Sequence, residues 1–223
     1  MARFPDRANA GAILAERLLA GDDRTVDAFR PPAGWGSVVV LGIPRGGVPV
    51  AATLARALGG RLDILVAHKI GAPGQPELAV GAVAADGSIR REVWADMYLS
   101  DVAFERAAAE EIARARTRSV ALRSARPAIP LDGTTVILVD DGIATGSTMF
   151  VAVVAARGAG ATHVIVAVPV ASTEAVDVLA SVADAVLAVR VPQDLRAVGE
   201  WYERFEQVDD REVRRLLAGF PTG

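Results

Sequence analysis

Residues 136–148 read Val-Ile-Leu-Val-Asp-Asp-Gly-Ile-Ala-Thr-Gly-Ser-Thr, and they set two carboxylates and an anion cradle side by side. Four apolar residues in a row predict a strand buried on both faces. Asp140 and Asp141 emerge at its end, where two charges are too costly to desolvate unless something polar meets them. Sugar hydroxyls or a hydrated cation would serve. The next seven residues, Gly142, Ile143, Ala144, Thr145, Gly146, Ser147 and Thr148, open a helix. The glycines allow a tight turn, free backbone N–H groups point outward, and Thr145, Ser147 and Thr148 add hydroxyl donors. Acceptors for hydroxyls are thus followed at once by donors for a phosphate, the polarity of a sugar phosphate. The segment matches neither Gly-x-x-x-x-Gly-Lys-Ser/Thr nor Gly-x-Gly-x-x-Gly, so nucleotide hydrolysis and dinucleotide binding find no support in it.

Two further strand ends carry groups of matching chemistry. Gly42-Ile43-Pro44-Arg45-Gly46-Gly47 offers bare backbone from Gly46 and Gly47 and one forked guanidinium from Arg45, a combination suited to pyrophosphate. Ala67-His68-Lys69-Ile70-Gly71 carries Lys69, the single lysine among 24 basic residues. His68 has neither metal-ligand spacing nor a nucleophile beside it and reads as a half-buried polar residue; His163, at the start of a strand, receives no role.

The elements that must position these groups follow from periodicity. Asp6 caps a first helix in which Ala10, Ile13, Leu14 and Leu18 share a face. A strand over 38–41, a helix over 48–58 closed by Gly59 and Gly60, and a strand over 62–67 form a parallel unit with a right-handed crossover. From 71 to 87 the pattern breaks into Gly, Pro and short apolar alternation, with a turn signal at Asp86-Gly87, and predicts a mobile loop or hairpin. Ser100 caps a long helix to about 122, which Pro127 and Pro130 end. A strand over 136–139, a helix over 147–157, a strand over 163–168, a helix after Ser172 and a strand over 185–189 continue the alternation. Trp201, Tyr202 and Phe205 cluster before a capping box, Asp209 to Glu212, that opens a final helix. The sum is a doubly wound α/β fold with a parallel sheet and helices on both faces, in which ligands bind beyond the carboxyl ends of the strands.

Composition bounds the rest. The chain has 223 residues, 52% hydrophobic, with 24 Lys plus Arg against 27 Asp plus Glu, for a net charge of −3. That balance excludes a disordered chain and gives no support to a nucleic-acid partner. Ala (43) and Val (30) dominate the apolar residues, which suits small-residue helices on Val-rich strands. Without cysteine there is no disulfide, Cys-ligated zinc or thiol catalysis. No signal-peptide apolar core begins within residues 1–10, and the longest apolar runs, such as 164–171, fall far short of the roughly 18 residues that span a bilayer. A cytoplasmic protein with no membrane partner is expected.

Taken with these motifs, the segment 136–148 resembles the phosphoribosyl pyrophosphate (PRPP) signature of type I phosphoribosyltransferases. The whole chain, including Gly-Ile-Pro-Arg-Gly-Gly and Lys-Ile-Gly-Ala-Pro-Gly, also resembles a bacterial group of phosphoribosyltransferases of undetermined substrate. The resemblance implies one domain over 1–223, with a core at about 37–190, a flexible catalytic lid at about 71–97 and a hood from about 1–20 and 191–223. By it, Asp140 and Asp141 hold the ribose hydroxyls and touch a metal, if at all, indirectly; the segment 143–148 takes the 5-phosphate; Arg45, Gly46 and Gly47 take pyrophosphate in a loop that often holds a non-proline cis peptide; and Lys69 reaches the same region. It also implies Mg²⁺ as cofactor, a lid hinged at Gly71, Gly74 and Gly81, and a hood in which Trp201 and Tyr202, with Phe205, Phe4 and Arg7, either stack a base or fasten the tail to the core. Glu77, in the lid, reads as a solvated charge. The hood matches no purine, orotate or uracil pattern, so the acceptor base is left unnamed; a homodimer is compatible with the fold. The expected reaction is transfer of ribosyl 5-phosphate from PRPP to a nitrogenous base. A PRPP- or nucleotide-sensing regulator without turnover, and a hydrolase or phosphorolytic enzyme, are the alternatives.

Overall fold

Val-rich runs and amphipathic segments resolve into two sheets and six α-helices in the computed structural model, which describes residues 3–20, 30–31 and 33–221, without the side chains of Pro76 and Glu77. The reading of Glu77 therefore lies outside the described residues. The main sheet holds β1 (Val39–Gly42), β2 (Arg61–Ile64), β6 (Thr135–Val139), β7 (His163–Val170) and β8 (Ala185–Arg190), all parallel, in the order β2-β1-β6-β7-β8. Successive strand residues face opposite layers. Val38, Val40, Ile137 and Val139 pack with α1 (Arg7–Ala20), α2 (Gly47–Leu58) and α6 (Asp210–Ala218). Val39, Leu41, Val136 and Leu138 pack with α4 (Ser147–Gly158) and α5 (Thr173–Ala180). Both faces being covered, every residue of β6 is buried, as its unbroken apolar run requires.

The caps predicted at Asp6, Ser100 and Asp209 hold, and Ser172 supplies a further one. Asp6 accepts from Asn9 N–H at 2.9 Å, Ser172 from Ala175 N–H at 3.0 Å, Asp209 from Glu212 N–H at 2.8 Å, and Ser100 from Ala103 N–H at 3.4 Å at the start of α3 (Asp101–Arg123). Gly59 closes α2 at φ 69°, a left-handed conformation that favours glycine.

Two expectations change. The strand expected over 62–67 breaks after Ile64, and the chain enters a second, antiparallel sheet: β3 (Ala67–Ala72), β4 (Gln75–Ala84) and β5 (Ile89–Arg91). The hairpin reading of 71–87 thus holds, and Lys69 lies within a strand rather than in a loop. Its Ile70, Ala72, Val80 and Val83 bury against Phe104 and Ala108 of α3. A Cβ on Gly81 would lie 2.7 Å from the Arg90 carbonyl and 2.9 Å from the Phe104 ring, so this glycine serves close packing rather than a hinge. The first helix is likewise a layer of the core rather than part of a hood. Leu14, Ala15 and Leu18 join the main core, and a Cβ on Gly11 would meet the Val50 carbonyl at 2.6 Å. The segment before it pairs with the C-terminal tail, where Phe4 N–H donates to the Trp201 carbonyl and Glu203 N–H to the Phe4 carbonyl, both at 2.8 Å, and the first residue of the helix, Arg7, reaches the Glu206 carbonyl at 2.7 Å.

Candidate functional site

The chain runs from β1 outward to β2 on one side and places β6, β7 and β8 on the other, so the strand order reverses between β1 and β6. Such a switch point opens a crevice beyond the strand ends. Gly42 of β1 is in register with Val139 of β6, which brings the loop 43–47 directly against Asp140 and Asp141. The contact is too close for side chains. A Cβ on Gly46 would lie 2.0 Å from Asp141 Oδ2, and one on Gly47 would lie 2.5 Å from the Val139 carbonyl. Glycine is needed at both positions for the two strand ends to meet. The Pro44–Arg45 peptide in this loop is cis.

The acidic pair divides two cavities. Asp140 lines one of about 200 Å³, with Lys69, Thr145, Gly146, Thr148 and Val198. Asp141 lines a more open one of about 480 Å³, with Arg7, Arg45, Gly46, Phe205 and Gln207. The first is bounded by the glycine-rich start of α4, where backbone N–H groups and the Thr145 and Thr148 hydroxyls favour an anion, and Lys69 adds an ammonium. The second has two guanidinium groups beside the glycine loop, again suited to an anion.

Burial pushes the Asp140 carboxyl well above the usual carboxylate range, and the charge of Asp141 adds to the rise. Burial also raises Asp141, against the opposing pull of Arg7, whose Nε donates to Asp141 Oδ2 at 2.8 Å. Asp140 Oδ1 accepts the Asp141 N–H at 2.8 Å. Two carboxylates that resist charging together form a place where a cation is favoured. No group of three or more His, Cys, Asp and Glu that could hold a metal occurs among the described residues.

Several predicted site residues do something other than expected. The Ser147 hydroxyl is turned away from the cavity and donates to Glu92 Oε1 at 2.6 Å, in a site where Ser147 is 4% and Glu92 6% exposed. Arg90 holds the same carboxylate at 3.0 Å through Nε and at 3.3 Å through Nη2, and its guanidinium lies 4.0 Å from the Phe150 ring centre. Only the Ser147 N–H remains for the anion cradle. Tyr202 is 3% exposed, with the rings of Phe4 and Phe205 at 5.5 and 5.0 Å, and its hydroxyl donates to the Asp141 carbonyl at 2.6 Å. With its faces taken, it fastens the tail to the acidic strand end and offers no stacking platform for a base. Trp201 is half-buried, with Arg190 at 5.9 Å. His68 lies on the face of β3 opposite Lys69 and meets Glu111 of α3 at 3.2 Å, outside both cavities.

Two residues that the motif analysis did not mark complete the geometry. Val198 packs so closely on Gly142 that a Cβ there would lie 2.5 Å from its Cγ1. Glu92 ties the second sheet to the start of α4. Neither has a local signal, since each acts on a partner more than 50 residues away in the chain.

The fold and the site together define a doubly wound α/β protein with an acidic pair beside two cavities at its switch point. The profile of the phosphoribosyl transferase domain matches residues 8–190. A Mycobacterium tuberculosis protein, found in two strains and named a phosphoribosyl transferase by assignment, is 39% identical over 219 residues. The match takes in 97% of this chain and 47% of that protein, so the chain spans about half the length of the curated relatives it matches. The crystal structure of TT1426 from Thermus thermophilus is 43% identical, with a TM-score of 0.79, covering 98% of this chain and 99% of the other. This chain belongs to the phosphoribosyl transferase domain family.

Proposed function

We propose that the protein transfers ribosyl 5-phosphate from PRPP to a nitrogenous base and releases pyrophosphate. The observation that supports this reading is that Asp140 lines one cavity and Asp141 another, each with one or more cationic side chains and glycine-rich backbone of the kind that suits an anion. A molecule with a phosphate at one end, a diphosphate at the other and a hydroxylated sugar between them fits that order. The 5-phosphate would take the backbone N–H groups over 143–148, the Thr145 and Thr148 hydroxyls and Lys69, and the diphosphate the loop 43–47 with Arg45. The ribose hydroxyls would donate to Asp140 and Asp141.

In the reaction the bond from the anomeric carbon to the diphosphate oxygen breaks with its electron pair, and the acceptor nitrogen bonds to that carbon and gives up its proton. Positive charge builds on the sugar as this happens, and two fixed carboxylates beneath it favour the transition state. Asp140 and Asp141 would help hold Mg²⁺ indirectly, through the ribose hydroxyls and water, with its oxygen ligands coming from substrate and water. When bound, the ion would neutralise charge on the leaving diphosphate. Arg45 and the glycine backbone would position that group, and the tail at Val198 would help keep water from the sugar.

Pyrophosphate release from PRPP and Mg²⁺, measured with a panel of purine and pyrimidine bases, tests this. Release with one base is expected. PRPP binding without release for any base would turn the site into a sensor, and release without a base would make the protein a hydrolase.

A further inference from the structure

We propose that Arg7, the first residue of α1, is a direct ligand of the diphosphate leaving group, gripping it together with the loop 43–47. The inference rests on the reading of the site given above. The Arg7 side chain is only 12% exposed, and three contacts fix its guanidinium. Nε donates to Asp141 Oδ2 at 2.8 Å, Nη1 donates to the Glu206 carbonyl at 2.7 Å, and the Phe205 ring lies 3.9 Å from its central carbon. Nη2 has no hydrogen-bond partner among the described residues. The guanidinium so held forms one wall of the cavity of about 480 Å³ that Pro44, Arg45 and Gly46 line as well.

Two arginines and a glycine loop around one cavity, against the single carboxylate of Asp141, leave positive charge for an anionic occupant to answer. A guanidinium presents parallel N–H groups that match phosphate oxygens, and one already fixed by aromatic and carboxylate contacts loses little freedom on binding. Arg7 shares its charge between Asp141 and the position where the leaving group would gather negative charge. It would therefore strengthen its hold as the bond to the anomeric carbon breaks, without having to move. Gly46 has a part in this, because the absence of its Cβ is what lets Asp141 Oδ2 turn toward Arg7.

Calorimetry of the intact chain with inorganic pyrophosphate and, separately, with ribose 5-phosphate separates the two ends of the site. The Arg7→Gln variant is expected to weaken pyrophosphate binding about tenfold or more, because a charge-assisted hydrogen bond is lost. Its affinity for ribose 5-phosphate should stay within about twofold of wild type, and Arg7→Lys should recover part of the loss. Unchanged pyrophosphate affinity, or an equal loss of both ligands, would overturn the proposal and leave Arg7 as a support for the tail. Should Arg7→Gln fail to fold, Phe205→Leu removes the shelf under the guanidinium. It is expected to weaken pyrophosphate alone, and unchanged binding there is equally contrary. Wild-type protein that binds pyrophosphate through Arg7 but not ribose 5-phosphate would keep this proposal and remove the PRPP reading. The reverse pattern would remove the proposal alone.

Discussion

Asp140 sits at the end of β6 with its carboxyl buried and its pKa raised, first by burial and then by Asp141. For a carboxyl raised on folding, stability is held in full below its unfolded value and declines as pH rises through the folded one. Asp140→Asn keeps an oxygen for the Asp141 N–H and removes the charge. Thermal melts should therefore show it more stable than wild type at pH 7, by roughly 1 kcal/mol or about 2–4 °C in a chain of this size. The gain should vanish toward pH 4, while PRPP binding is lost at every pH. A constant gain across that range would contradict the charge account. At Gly46 the expected effect is steric: Gly46→Ala sets a methyl against Asp141 and should cut PRPP turnover by about 100-fold, the scale of a displaced reacting geometry. Lys69→Arg should impair PRPP use far more than Arg→Lys changes on the exposed face of α3, since a compact ammonium and a planar fork are not interchangeable. The acidic pair, both glycine loops and the lone lysine were legible because each is a local pattern. The turned hydroxyl of Ser147 was not, because its partner Glu92 is 55 residues away, just after the last strand of the second sheet.

The second sheet is where sequence and structure diverge most. Gly71, Pro73, Gly74 and Pro76 punctuate that segment as a loop, and glycine signals freedom unless something packs on it. Phe104 packs on Gly81, and Arg90, Glu92 and Ser147 tie β5 and the residue after it to α4. Lys69 and the glycine-rich start of α4 therefore belong to one packed body. Glu92→Ala would leave Arg90, 19% exposed at its side chain, without its carboxylate, and should destabilise the chain by about 3 kcal/mol. Glu92→Gln, which keeps an acceptor for Ser147, should cost clearly less in a denaturant series. Hydrogen exchange gives an independent check: amides of β3 and β4 at 67–70 and 81–84 should be protected comparably to those of β6. Exchange within seconds across both strands would restore the picture of a free lid.

Across the molecule, the doubly wound architecture followed from the alternation of short buried strands with amphipathic helices. The strand order did not, because which strands become neighbours is decided by packing of whole layers. That order matters most for the proposed function: placing β1 beside β6 is what lets the loop 43–47 and the acidic pair meet, with the loop 142–146 and Arg7 close by. The terminal segments complete it, joined by the Phe4 and Trp201 backbone and by the Tyr202 hydroxyl on the Asp141 carbonyl. Titration of PRPP with Mg²⁺ into the intact chain, beside the Asp140→Asn/Asp141→Asn double variant, tests the central claim most directly. Saturable binding by the wild type and its loss in a folded double variant are predicted. No binding by the wild type, or equal binding by both, would contradict the account.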